Sequence, residues 1–102
     1  MIHVIATVEL CAGRRDDFLT EFRQLVPKVL EEEGCIEYGP AVDAETKIAA
    51  QSPPRDHVVT VVEKWASIEC LEAHLNAPHM KEYRGKVQEW VERTTLHILQ
   101  PA

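Results

Sequence analysis

The segment 57–65, HVVTVVEKW, is apolar on both faces of the strand that it predicts. Successive side chains of a strand point to opposite sides of a sheet, so Val58 and Val62 lie on one face, and Val59 and Val61 lie on the other. Both faces of such a strand need a cover, and a single layer of helices covers only one of them. The segment therefore predicts a sheet with helices on one face and a further partner on the other.

The residues before this segment predict two strands, one helix and a loop. Residues 2–10 alternate apolar side chains with mainly polar ones, which predicts a first strand. Residues 35–43 predict a second strand, and Pro40 places it at a sheet edge or at a bulge because proline has no backbone N–H. Residues 44–56 show no periodicity and indicate a long loop. An amphipathic helix that ends near Gly34 is predicted by the apolar residues Phe18, Phe22, Leu25, Val26 and Val29.

Two helical segments and a last strand are predicted after residue 65. Ser67 is a good N-cap for a helix that carries Ile68, Leu71 and Leu75 on its apolar stripe. Pro78 suits the first position of a second helical segment. Residues 94–99, TTLHIL, predict the final strand. The apolar residues in register on the second helical segment are Met80, Tyr83, Val87, Trp90 and Val91.

The order of these elements predicts one domain, residues 1–102, of the α+β class. Two βαβ-like halves joined in this way give a ferredoxin-like βαββαβ arrangement, with an antiparallel four-stranded sheet and the helices on one face. The other face then needs a cover, and a second copy of the chain is the simplest one. We therefore expect a homodimer formed through the sheet.

Composition limits the partners and the compartment. A formal net charge of −6 argues against nucleic acid, because phosphate binding needs clustered Lys and Arg. No apolar run approaches the length of a membrane span, and the alternating first ten residues predict a strand instead of a signal peptide. Cys11, Cys35 and Cys70 are odd in number and widely spaced, which fits free thiols in a reducing cytoplasm. We expect a cytoplasmic protein that binds neither nucleic acid nor membrane.

The segments EEGCIEYGPAVD and VVEKWASIECLEAHLNAPHMKEY resemble the antibiotic biosynthesis monooxygenase family, which consists of dimeric α+β barrels. The resemblance covers nearly the whole chain in the order and length of its elements. The residues that carry it are Gly34, Cys35, Ile36, Tyr38, Glu63, Trp65, His74 and His79.

The resemblance implies a monooxygenase that needs no cofactor. The better-studied oxygenases of this family use neither metal nor flavin. A base removes a proton from an electron-rich quinol or polycyclic phenol, and the resulting anion passes an electron directly to oxygen. Other members degrade haem with an asparagine on the first strand. Residues 1–10 contain no asparagine and offer Thr7 or Glu9 instead, which counts against haem.

Trp65 and His74 are the predicted catalytic residues, on the walls of a cavity between the sheet and the helix that follows it. Trp65 either caps the core or presents its ring and its indole N–H to a planar substrate. By helical spacing, His74 lies on the border of the apolar stripe, beside the core. There it acts either as a boundary histidine or as a general base with a pKa near neutral.

Other polar residues are predicted to bind a small aromatic or hydrophobic substrate. For Tyr83 the alternative is core packing, and for His79 it is a structural place in the first turn of a helix. A buried Glu63 needs a partner such as Arg84, or its pKa rises. His74 and His79 are five residues apart and lack a further ligand at zinc-like spacing, so no metal site is expected. The predicted substrate-binding residues are Thr7, Tyr38, Glu63, Tyr83 and His79.

Two other functions remain open from the sequence. One is isomerisation or degradation of a small carbonyl signal of the autoinducer-2 type, by proton shuttling through His74. The other is a non-catalytic dimer whose pocket holds a hydrophobic metabolite.

Overall fold

Four strands pair into one antiparallel sheet, and three helices pack against it. A computed structural model of the chain describes residues 1–102. The elements are β1 (Ile2–Leu10), α1 (Arg15–Leu30), β2 (Cys35–Ala41), β3 (Val58–Trp65), α2 (Ile68–Leu75), α3 (Pro78–Val87) and β4 (Val91–Leu99). The strands are ordered β2-β3-β1-β4 across the sheet, so the two central strands are flanked by β2 and β4. The predicted ferredoxin-like α+β arrangement is confirmed.

The core lies between the helices and one face of the sheet. Every second residue of β1 is buried there, from Ile2 to Leu10, while the residues between them are only partly covered. The side chains of α1 that face the sheet recur at helical spacing, and they pack against the buried side chains of β1 in one apolar layer. The buried residues of α1 are Phe18, Leu19, Phe22, Leu25 and Val29.

Several local signals act as the sequence predicts. The Ser67 hydroxyl accepts a hydrogen bond of 3.2 Å from the Cys70 N–H and so caps α2. Pro78 occupies the first position of α3. β2, which contains Pro40, lies at the sheet edge, and its pairing with β3 is irregular between Cys35 and Glu37.

The end of the second helical segment differs from the prediction. Val91 was expected in helical register with Val87, but α3 ends at Val87, and Val91 pairs with Leu10 as the first residue of β4. The Trp90 N–H closes a turn on the Val87 carbonyl at 2.9 Å, and the Trp90 carbonyl accepts the Cys11 N–H at 2.8 Å. Val91 therefore pairs with β1, although helical spacing alone assigns this residue to the helix.

Residues 42–57 form the predicted loop, and an ion pair ties its two ends together. The Arg55 guanidinium donates to both carboxylate oxygens of Asp43, from Nε at 2.8 Å and from Nη2 at 3.0 Å. The Arg55 backbone N–H donates to the same carboxylate at 2.9 Å. Arg15 Nη1 donates to the Arg55 carbonyl at 3.0 Å and so anchors the loop to the start of α1.

The sheet face away from the helices carries apolar and threonine side chains that no other part of the chain covers. Ile5 pairs with Val62 on this face, and Thr7 pairs with Thr60 and Thr95. These side chains are about half-buried by their neighbours within the sheet. The homodimer through this face stays a prediction. None of the three helices has the length and apolar character that crossing a membrane requires.

Candidate active site

A cavity of about 470 Å³ lies between the sheet and the pair of helices α2 and α3. Its walls are mainly apolar, and they include Ala6 and Val8 from β1, Phe22 from α1 and Met80 from α3. A mainly apolar cavity of this size with a few inward polar groups is typical of small-molecule sites. The polar side chains that line it are Tyr38, Glu63, His74, Tyr83, Arg84, Gln88 and Thr94.

His74 is part of the core and not at its border, which corrects the sequence prediction. The residue is 1% exposed, whereas Ile68, predicted on the apolar stripe of the same helix, is 41% exposed. The helix is therefore rotated so that Leu71 and His74 face inward. Glu32, at the end of α1, makes this burial possible, because its Oε2 lies 2.9 Å from His74 Nδ1 and satisfies that nitrogen.

The hydrogen bond to Glu32 determines which nitrogen of His74 is available to a ligand. A carboxylate accepts hydrogen bonds, so we assign the ring proton to Nδ1 and a free lone pair to Nε2. No fully buried side-chain nitrogen or oxygen lacks a hydrogen-bond partner. Nε2 makes no hydrogen bond within the chain, so it is open to the cavity that His74 lines. Burial lowers the pKa of His74, while Glu32 acts in the opposite direction. The neutral ring is thus a base at neutral pH.

Glu63 is a second titratable group in the cavity wall. It is buried on the inner face of β3, and its Oε1 accepts a hydrogen bond of 2.9 Å from the indole N–H of Trp65. Burial raises the pKa of this carboxyl to about 7, while the Trp65 hydrogen bond lowers it and the nearby Glu32 raises it. Arg84 is not the partner, because its Nη2 donates to the Leu75 carbonyl at 2.7 Å.

Tyr38 and Tyr83 bring two hydroxyl groups to the same cavity through an aromatic cluster. The Tyr38 ring stacks on Phe22 at 5.5 Å between centroids and meets His74 edge-on at 5.3 Å. Tyr83 meets Phe22 edge-on at 5.7 Å. Burial raises the pKa of both hydroxyls above their usual value, so both stay protonated and can donate hydrogen bonds.

Three of the predicted site residues lie outside the cavity. Trp65 is completely buried behind the wall, and its N–H is already bonded to Glu63. Thr7 points to the opposite face of the sheet, where it pairs with Thr60 and Thr95. His79 lines a separate surface groove, with its Nε2 2.7 Å from Glu32 Oε2. The structure therefore brings together His74, Glu63, Tyr38 and Tyr83, but not Trp65, Thr7 or His79.

Glu32 is the residue that sequence reasoning missed. It lies on the polar side of the predicted α1 wheel, in a run of three glutamates, and nothing in that run marks one of them as special. Its partners are 42 and 47 residues further along the chain. The available signal was indirect, since a histidine at the core border needs a polar partner. No group of three or more His, Cys, Asp and Glu side chains is arranged to hold a metal ion.

Residues 1–86 match the model of one protein family, described as antibiotic biosynthesis monooxygenase. The chain belongs to the antibiotic biosynthesis monooxygenase family. Similar members of known sequence are the proteins named "probable quinol monooxygenase YgiN" of Escherichia coli K12 and Shigella flexneri. Each is 43% identical over 103 residues, which cover 99% of this chain and 98% of the relative. The resemblance to this family that the sequence motifs indicate is thereby confirmed.

Solved structures share the fold along nearly the whole chain. The protein PA3566 of Pseudomonas aeruginosa superposes with a TM-score of 0.82 at 22% identity, covering 99% of this chain and 93% of its own. A conserved protein of Methanosarcina mazei superposes with a TM-score of 0.83 at 24% identity, covering 99% and 92%. At these identities the likeness concerns the fold alone.

Proposed function

We propose that this family member is a monooxygenase that oxidises a quinol or polycyclic phenol with molecular oxygen and needs neither metal nor flavin. One observation carries the proposal: a neutral imidazole and a carboxyl with a pKa of about 7 share the wall of a mainly apolar cavity. Such a pair can take up and return protons at neutral pH. The name of the relatives that are 43% identical supports the choice of a quinol.

The first step is removal of a hydroxyl proton by His74 Nε2, which is the free nitrogen on the cavity side. The resulting quinolate is far more electron-rich than the quinol, and the apolar walls keep it from being solvated by water. The imidazolium that forms is stabilised by Glu32, which lies 2.9 Å from the other ring nitrogen. Base and counter-charge are thus already in place before the substrate enters.

The anion then reduces oxygen, and the substrate supplies all four electrons. One oxygen atom forms a bond to a ring carbon, which loses its hydrogen. The other oxygen atom leaves as water, with the proton that His74 returns and the proton lost from that ring carbon. One quinol and one O₂ therefore give one hydroxyquinone and one water.

The remaining cavity groups bind and orient the substrate. The Tyr38 and Tyr83 hydroxyls stay protonated and donate to the substrate oxygen on which negative charge develops. The Glu63 oxygen that is not bonded to Trp65 faces the second hydroxyl. Trp65 does not touch the substrate in this mechanism and is a positioning residue that holds Glu63. Thr7 has no role at this cavity.

The protein acts as a homodimer through the open face of its sheet. Ile5 and Val62 pair on that face beside a row of threonines, and no segment of the chain covers them. Light scattering should give twice the chain mass at micromolar concentration. A lysine in place of Val62 puts a charge in the centre of the interface and should give the monomer mass.

Oxygen uptake with a panel of benzoquinols and naphthoquinols tests the proposal. The decisive variant is His74→Asn, because the asparagine amide can still donate to Glu32 but cannot act as a base. The expected result is a loss of roughly 10²–10⁴-fold in kcat with little change in KM. Full turnover by this variant on a quinol that the wild type oxidises would end the proposal.

The other functions have distinct outcomes in the same assays. Conversion of small hydroxyketones without oxygen uptake would favour the isomerase or degrading enzyme. Binding of quinols without turnover of either substrate class would favour the non-catalytic dimer.

A further inference from the structure

The Glu32 carboxylate joins a histidine of the cavity to a histidine at the protein surface. Its Oε2 lies 2.9 Å from His74 Nδ1 and 2.7 Å from His79 Nε2. The His74 side chain is 1% exposed, and the His79 side chain is 25% exposed. We propose that His74, Glu32 and His79 form a proton relay between the cavity and solvent. The relay rests on the proposed function, since it serves the base of that reaction.

The outer end of the relay opens to water. His79 lines a small groove with charged side chains of α1 and α3, among them Lys28 and Glu82. His79 Nδ1 makes no hydrogen bond within the chain. Because every fully buried side-chain nitrogen and oxygen has a partner, this unbonded nitrogen is not fully buried. This nitrogen is therefore the contact with solvent. His79 follows Pro78 in the first turn of α3, and its contact with Glu32 holds the ring there.

The inner end of the relay opens into the cavity that the substrate occupies. His74 sits among Trp65, Tyr38 and the apolar walls, with ring centroids 4.6 Å and 5.3 Å away for the two aromatic partners. A bound substrate fills the space in front of Nε2, so while it is bound the proton that Nε2 accepts cannot reach solvent through the cavity. Burial disfavours the charged ring. A route through Nδ1 and Glu32 relieves that charge while the substrate stays bound.

Each transfer along the relay is balanced. His74 Nε2 gains the substrate proton, and the proton on Nδ1 moves to Glu32 Oε2. At rest His79 donates its Nε2–H to Glu32. Once Glu32 holds the proton from His74, exchange with water moves the His79 proton from Nε2 to Nδ1. Nε2 then accepts the proton of Glu32, and Nδ1 releases its own proton to water. The net result is one proton moved from substrate to solvent. The reverse sequence brings in the proton that the departing water takes up and restores the starting tautomers.

Charged and titratable groups beyond those of the groove lie on α3, β2 and β3. Arg84 on α3 lowers the pKa of His74. Cys35 on β2 lies close to Glu32, but burial first and then the two glutamates raise its pKa to about 11, so its thiol stays protonated. Glu63 on β3 has a pKa of about 7, so it also titrates near neutral pH. A test of the relay therefore needs a signal that is specific to histidine.

The kinetic test uses His79→Gln, whose amide can still donate to Glu32 but cannot pass a proton on. With the oxidised quinol at low buffer concentration, kcat should fall about tenfold with KM unchanged, less than the roughly 10²–10⁴-fold cost of losing the base itself. Added imidazole should restore the rate, because it can take the place of the missing ring in the groove. The matched control is His57→Gln, since His57 lies in a different part of the surface and should change nothing. An unchanged kcat in His79→Gln, without any effect of imidazole, would overturn the relay.

A second measurement does not depend on turnover. In the protein with ¹⁵N-labelled histidine, NMR exchange spectroscopy follows how fast the Nδ1 proton of His74 exchanges with water. The exchange should be slower in His79→Gln and in Glu32→Gln than in the wild type, whereas a purely structural cluster would leave it unchanged or accelerate it. An exchange rate that is not slowed rejects the relay. If no quinol is oxidised but exchange slows in both variants, the proposed function fails and the relay stands.

Discussion

Trp65 donates its indole N–H to Glu63 Oε1 over 2.9 Å, from a position two residues further along the same face of β3. Both side chains are buried, so the bond replaces water for a carboxyl that would otherwise have no donor. It also opposes the effect of burial on that carboxyl, whose pKa still reaches about 7. Trp65 thus lowers the pKa of a cavity residue without entering the cavity, although burial has the larger effect.

Removal of the indole donor should raise the pKa of Glu63 further. In Trp65→Phe the ring volume is largely kept, but the hydrogen bond that favours the ionised carboxyl is lost. The ¹³C chemical shift of the Glu63 carboxyl, followed through a pH titration, measures the change. Trp90→Phe is the matched control and should leave the titration in place, since Trp90 makes no side-chain bond to Glu63. A Glu63 pKa that stays near 7 or falls in Trp65→Phe would contradict this role.

Glu63 should make the wild type lose stability as the pH rises. Its folded pKa of about 7 lies above the ordinary value of 4.5, so between these values the folded state holds the proton more often than the unfolded state does. The free energy of unfolding falls over that range, by about 3 kcal/mol for this one group. In Glu63→Gln this contribution is absent, while the amide oxygen still accepts the Trp65 N–H.

Urea unfolding of both proteins at pH 5 and pH 8 measures this difference. The advantage of Glu63→Gln over the wild type should be larger at pH 8. Equal differences at the two pH values would show that the Glu63 carboxyl is not shifted.

Gly34 should tolerate no side chain. Its φ of +78° lies in the left-handed region, and an added Cβ would clash with Cys70 Sγ and lie 2.8 Å from Cys70 Cβ. Backbone strain and overpacking together should make Gly34→Ala less stable by about 3 kcal/mol. Gly13 has nearly the same φ, +77°, but open space around it, so Gly13→Ala should lose only about 1 kcal/mol. Thermal unfolding of the two variants compares them, and equal losses would mean that contact with α2 does not limit residue 34.

The ion pair between Asp43 and Arg55, at the neck where the two ends of the loop meet, should protect the loop from proteolysis. The hydrogen bonds from Arg55 lower the pKa of Asp43 to about 2, so the pair contributes at neutral pH and is lost only as the pH falls from 3.8 toward 2. In Arg55→Ala a lysine-specific protease should cut after Lys47 several times faster. Arg14→Ala removes the exposed pair with Asp17 and serves as the control. Cleavage at the same rate in both variants would show that the neck is held by other contacts.

Local signals in the sequence predicted most of the fold. The two-faced apolar pattern of β3, the Ser67 cap, Pro78 and Pro40 each act within a few residues, where periodicity and backbone chemistry decide the outcome. Val91 was misplaced because one apolar residue at the end of a helix satisfies a helix pattern and a strand pattern equally.

The site was less predictable because it depends on contacts between distant segments. His74 was placed at a border by the spacing of Ile68, Leu71 and Leu75, but a helix of only eight residues leaves its rotation to tertiary packing. The partner that turns His74 inward is Glu32, 42 residues earlier. By periodicity alone, Glu32 is one of three similar surface glutamates. Only the assembled fold distinguishes it from Glu31 and Glu33.

Because the ion pair between Asp43 and Arg55 holds the two ends of the loop together, the length of the loop can change without moving the strands. The residues between these ends form a closed loop, and doubling the length of such a loop costs only about 0.6 kcal/mol in closure entropy. A tag or a peptide epitope inserted between Ala49 and Ala50 would therefore extend the loop and leave the pairing of the strands unchanged. The segment offers an attachment point from which the protein can be immobilised or observed without disturbing its cavity.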